Sequence, residues 1–128
     1  MKNESVFSKE APAAAGPYSH AVWAGRYLYL SGQLGVDPET NALVEGVETQ
    51  ARLALANLKT VLASAGLTMD DVVKTTVFLK NMGDFAAINA IYTEAFGKNK
   101  PARSCVAVAE LPRGGLFEIE AVAYKADA

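Results

Sequence analysis

The sequence predicts an α+β fold: a two-layer sandwich with a mixed six-stranded β-sheet and two α-helices packed on one face. Three observations lead there. Two segments, residues 47–65 and the stretch after Asp84, repeat apolar residues at the three-four spacing of a helix. Six shorter runs are rich in β-branched or aromatic residues, or alternate them, and are separated by Gly, Pro, Asn and Asp. The order is three strands, helix, strand, helix, two strands, and helices with apolar stripes must cover a sheet face.

Val6-Phe7 reads as a short first strand, followed by an irregular loop over residues 10–17 that is rich in alanine and holds Pro12 and Pro17. Residues 20–23 and 26–36 flank Ala24-Gly25 and form a hairpin. Tyr27-Leu28-Tyr29-Leu30 alternates aromatic and aliphatic residues, so both faces of that strand are covered. Residues 37–41, Asp-Pro-Glu-Thr-Asn, form a turn. The first helix places 47, 51, 54, 55, 58, 62 and 65 on its apolar face and stops at Gly66. Asp70-Asp71 reads as a solvated turn leading into a strand over residues 72–79. Asp84 is the expected N-cap of the second helix, with Phe85, Ile88, Tyr92 and Phe96 toward the core and Gly97 at its end. Residues 102–110 and 116–124 are expected as a closing hairpin around Leu111-Pro112-Arg113-Gly114-Gly115.

A length of 128 residues is that of one domain, residues 1–128, and suffices to bury a core without disulfides or a structural metal. Twelve basic against 14 acidic residues leave no basic face for nucleic acid. The single cysteine excludes an internal disulfide framework and fits a reducing compartment. No secretory leader or membrane span is read, so a soluble, cytoplasmic protein with no membrane partner is expected. The sheet face away from the helices also carries large apolar residues, which predicts burial by oligomerisation.

The chemistry concentrates near the C-terminus. In Pro101-Ala102-Arg103-Ser104-Cys105-Val106-Ala107, the side chains of Arg103, Cys105 and Ala107 share one strand face. Glu118 and Glu120 share a face of the last strand. A desolvated arginine needs an anion, and its planar fork matches a carboxylate. A carboxyl group within an apolar strand is a candidate acid or base with a raised pKa. Arg103 and Glu118 are thus either a pocket for a small carboxylic acid or a structural ion pair at a sheet edge. Cys105 taken alone reads as a small buried hydrophobe. In the expected hairpin Arg103 lies opposite a residue near Ala123, which sets Glu118 on the order of 15 Å away. Either the two serve different purposes, or one subunit's Arg103 meets a neighbour's Glu118. His20, the sole histidine, reads as a half-exposed strand residue and leaves neither a metal cluster nor a His-pair nuclease. Gly32 and Gly35 make no phosphate-binding loop.

These segments resemble the signature of the RidA (YjgF) family of reactive intermediate deaminases. The matching parts are Pro101 to Val106, Leu111-Pro112 and Glu118-Ile119-Glu120, with Gly16-Pro17-Tyr18, Ser31-Gly32-Gln33, Asp84-Phe85 and Asn89-Ala90-Ile91-Tyr92. The resemblance implies a 2-iminobutanoate/2-iminopropanoate deaminase, which hydrolyses enamines and imines such as 2-aminoacrylate to 2-keto acids and ammonia. It implies a homotrimer with sites between subunits and no cofactor or metal. It assigns Arg103 to the substrate carboxylate, Glu118 to the attacking water, backbone groups of Cys105 to the imine nitrogen or water, and Tyr18, Ser31 and Asn89 to the pocket. Ser19-His20, Leu34-Gly35 and Gly114-Gly115 depart from many relatives. A non-enzymatic role as a stress chaperone or translation inhibitor, described for some family members, is the alternative.

Overall fold

The computed structural model describes residues 3–126. Its strands are β1 (Glu4–Val6), β2 (Ala21–Ala24), β3 (Tyr27–Leu34), β4 (Val72–Leu79), β5 (Ala102–Ala107) and β6 (Phe117–Tyr124). Its helices are α1 (Val47–Ser64) and α2 (Phe85–Phe96). The six strands form one sheet in the order β1-β2-β3-β6-β4-β5. Only β4 and β5 pair in parallel; the other neighbours are antiparallel.

That parallel pair corrects the expected closing hairpin. β5 does not pair with β6, because β4 lies between them. A parallel pair needs a crossover of about a dozen residues, and α2 supplies it. The chain after β5 is too long for a tight hairpin. It turns through Pro112–Gly114, with Arg113 at φ 61°, and brings β6 into the slot between β3 and β4. The β2–β3 connection is a true hairpin: Ala24 pairs with Tyr27, and Gly25 takes the positive φ the two-residue loop requires.

Both helices pack on the sheet face that carries Leu28, Leu30, Val77, Leu79, Phe117 and Ile119. Two buried amides fasten α1 to the far end of β3. Asn57 Nδ2 donates to the carbonyls of Leu34 and Val36, at 3.1 and 2.9 Å. Gln50 donates to Val44 O and accepts from Leu116 N–H. The approach is close enough that a Cβ on Gly35 would stand 2.5 Å from the Gln50 Cα. These contacts fix the end of β3, where one half of the site is built.

Among the described residues no helix covers the opposite sheet face. That face presents Tyr27, Tyr29, Phe78, Val106, Val122 and Tyr124, of which Tyr29 is 52% exposed. Among the described residues no helix is long and apolar enough to cross a membrane.

His20 is buried rather than half-exposed. Its Nδ1 accepts the Ser8 N–H at 2.9 Å and its Nε2 donates to Pro12 O at 2.7 Å. These partners assign the proton to Nε2. The irregular N-terminal loop must satisfy its backbone groups somewhere, and the imidazole does so, pinning that loop beside β3.

Candidate functional site

Glu118 lies on the sheet face without helices, paired with Leu34 on one side and Phe78 on the other. Its seat is made by a bulge in β3. Leu30 pairs with Ala121 and Gln33 with Ile119, so Ser31 and Gly32 together oppose Glu120 alone. The Glu118 carboxylate folds over Gly32, where a Cβ would fall 2.2 Å from Oε2. Burial pushes the Glu118 carboxyl above the usual glutamate range, and the Glu120 charge adds to the rise. A cavity of about 110 Å³ opens beside it, lined among others by Tyr18, Gly32, Leu34, Pro112, Arg113 and Glu118. Tyr18 reaches this cavity from a tight turn, in which its N–H bonds Gly16 O across Pro17. Its hydroxyl accepts the Ala15 N–H at 3.3 Å. Ser31 does not line the cavity; its hydroxyl donates to Ser19 O at 2.7 Å and ties the Tyr18 loop to β3.

Arg103 lies on the other face. It pairs with Thr75, whose side chain is fully buried beneath the helices, and so points toward α2. Arg103 Nη1 donates to Asn89 Oδ1 at 2.8 Å. The guanidinium carbon stands 4.8 Å from the Tyr92 ring centroid and 5.4 Å from that of Phe85. The Tyr92 hydroxyl is bonded to Thr75 Oγ1 at 2.7 Å. An open cavity of about 490 Å³ adjoins, lined by residues including Asn89, Tyr92, Lys100, Pro101 and Arg103. Cys105 shares the face of Arg103 and pairs with Val77. Burial pushes its thiol up, and the nearby Arg103 charge opposes this only in part. β5 is the last strand of the sheet, so one of its edges is unpaired among the described residues. Val108 N–H bonds Leu79 O across β4, and strand alternation then turns the N–H and C=O of Cys105 to that outer edge.

The candidate residues therefore fall into two groups. Glu118 and Tyr18 form one; Arg103, Asn89 and Cys105 form the other. Thr75 pairs with both Arg103 and Ala121, which places Arg103 level with Ala121 rather than Ala123. Two strand spacings and three residues of rise put Arg103 and Glu118 roughly 14 Å apart. The inference that they are too distant to act together survives, although the hairpin behind it does not. The opposite faces separate them further.

Phe85 corrects a third expectation: it is 37% exposed and meets Arg103 instead of the core. Sequence reasoning also missed Tyr92 and Thr75 as parts of the arginine's seat. The signal was present in the spacing 85, 89, 92, which places all three residues on one face of α2. Among the described residues no three His, Cys, Asp or Glu side chains gather as a metal site would need. A groove between α1 and α2, about 380 Å³, holds none of the candidate residues.

Residues 8–125 match the family described as Endoribonuclease L-PSP. A RutC family protein of Pyrococcus horikoshii is 48% identical over 123 residues, which span 95% of this chain and 98% of that protein. The 2-iminobutanoate/2-iminopropanoate deaminase of Salmonella typhimurium is 46% identical over 126 residues, 96% of this chain and 98% of the enzyme. The crystal structure of a putative endoribonuclease L-PSP from Entamoeba histolytica superposes with a TM-score of 0.94 at 46% identity, covering 97% of this chain and 100% of that one.

Proposed function

The chain belongs to the RidA (YjgF) family, and on that premise we propose that it is a 2-iminobutanoate/2-iminopropanoate deaminase acting at sites shared between subunits of a homotrimer. The observation that carries this reading is the separation of its two half-sites. A carboxylate-binding arginine at a sheet edge and a proton-transfer carboxyl on the opposite face cannot serve one small substrate within one subunit. An exposed apolar sheet face and an unpaired β5 edge supply the surfaces on which neighbouring copies would bring them together.

The mechanism follows from the two half-sites. Arg103 has one nitrogen on Asn89, and its Nε and Nη2 have no hydrogen-bond partner among the described residues. They form the fork that takes the substrate carboxylate in two parallel bonds. The outward N–H and C=O of Cys105 hold the imine nitrogen or the water, and the raised thiol stays protonated. Glu118 of the neighbouring subunit takes a proton from water as it adds to the imine carbon. The substrate reacts as the protonated imine, so the carbinolamine that results already carries a neutral amine nitrogen. Glu118 returns its proton to that nitrogen, and the C–N bond breaks as the carbinolamine hydroxyl gives its proton back to the carboxylate, leaving ammonia and the 2-keto acid. The raised pKa makes the Glu118 carboxylate a stronger base toward the water proton than an ordinary glutamate. The substrate already reacts with water, so orientation and one acid–base group account for the acceleration.

A ribonuclease reading finds little in the site. The only histidine uses both ring nitrogens to pin the N-terminal loop, and the net charge is −2. The test is 2-keto acid release from freshly generated 2-iminopropanoate. The native protein should accelerate it and Arg103→Ala should abolish the acceleration while remaining folded. No acceleration by the native protein would refute the reading.

A further inference from the structure

We infer that Phe85, with Tyr92, is a positioning residue for the reaction: the two rings hold the Arg103 guanidinium in the orientation that takes a carboxylate. This rests on the assignment of Arg103 to the substrate. Phe85 is the first residue of α2, and its ring is 37% exposed beside a guanidinium 5.4 Å away. An aromatic ring in that place adds little to the core. It lies within the distance at which the ring face attracts a cation. Tyr92, seven residues on, presents a second ring at 4.8 Å, and Asn89 between them takes Nη1 at 2.8 Å.

The second ring is itself fixed. Tyr92 is held by Thr75 through a 2.7 Å hydrogen bond and by Phe96, whose centroid is 4.6 Å away. Thr75 sits beside Arg103 in the β4–β5 register, so the sheet that carries the guanidinium also locks the ring beneath it. An unsupported arginine on an edge strand samples many rotamers and loses that freedom when it binds. Two rings and one amide remove much of the freedom beforehand and leave Nε and Nη2 directed at the ligand.

The experiment uses the intact protein with Phe85→Leu and Phe85→Trp. Pyruvate, the keto acid product, is the binding probe in calorimetry, alongside kcat and KM on 2-iminopropanoate and the melting temperature. Phe85→Leu should weaken pyruvate binding and raise KM by about threefold to fivefold, with kcat held, and Phe85→Trp should restore both. A merely structural role would show instead as a lowered melting temperature with unchanged affinity. Equal affinity in all three proteins, or equal loss in Leu and Trp, overturns the inference. The two readings fail separately: imine turnover with a flat Phe85 series sinks the positioning role alone. A graded pyruvate series without any imine turnover sinks the deaminase and leaves the positioning intact.

Discussion

Gly32→Ala should cripple the reaction while leaving the fold almost untouched. The added Cβ would fall 2.2 Å from Glu118 Oε2 and 2.9 Å from Cδ. Nonbonded heavy atoms settle at roughly 3.5 Å, so the carboxylate must move by about 1 Å or more. It is the free end of a side chain, and the displacement can be taken up by rotation at about 0.5–1.5 kcal/mol. Replacing a glycine by alanine at a compatible backbone angle returns about 0.4–1 kcal/mol through the unfolded state, and Gly32 has no positive φ. The two nearly cancel, so the melting temperature should stay within about 5 °C of the native protein. A 1 Å misplacement of a reacting group costs on the order of 100-fold in rate. The assay is kcat/KM on 2-iminopropanoate beside a melting curve. Native activity in a folded Gly32→Ala protein would refute the assignment of Glu118 to proton transfer, and a collapsed melting temperature would show the glycine to be structural.

Three further outcomes follow from the ionisable groups. Glu120→Gln removes the like charge that adds to the rise at Glu118, so the acid limb of kcat/KM should move to lower pH. Burial remains the larger cause, so the limb should stay above that of an ordinary glutamate; no movement would remove Glu118 from the profile. Because the native state holds the Glu118 proton more tightly than the unfolded chain, stability should fall as pH rises from the usual glutamate range through the raised value. Glu118→Gln should therefore melt higher than the native protein at neutral pH, with the advantage vanishing below that window. Cys105→Ser should keep most of the activity, since backbone groups carry the role there and the thiol is held protonated; a folded, inactive variant would return the thiol to the mechanism.

Both helices and the order of the elements were legible from local periodicity, while β1 falls on Glu4–Val6 rather than Val6-Phe7 and β5 ends at Ala107 rather than at residue 110. The first helix was expected over 47–65 and spans Val47–Ser64; the fourth strand falls on Val72–Leu79 as expected. Pairing was not legible, since β-branched runs specify a strand and not its neighbour. A β5–β6 hairpin and a β4–β5 crossover read alike until the partners of Thr75 are seen. Arg103 and Glu118 stood out as charges in apolar strands. Phe85 was misplaced because apolar periodicity assigns every matching position to the core, and this ring packs on a cation instead. His20 could not be placed from sequence, because its partners are backbone groups of an irregular loop. The role of Gly32 depends on a carboxylate 86 positions later and has no local signature.

The shared site itself is open to one decisive measurement. Arg103→Ala and Glu118→Ala proteins, each nearly inactive, are unfolded together in equal amounts and refolded so that subunits mix at random. A site needs Arg103 from one subunit and Glu118 from the next around the ring. Each such ordered pair is intact with a chance of about one in four in a cyclic assembly. Activity on 2-iminopropanoate should recover to about a quarter of the native value per site. If both residues acted within one subunit, no mixture would contain an intact pair. Zero recovery in verified mixed oligomers would contradict the account.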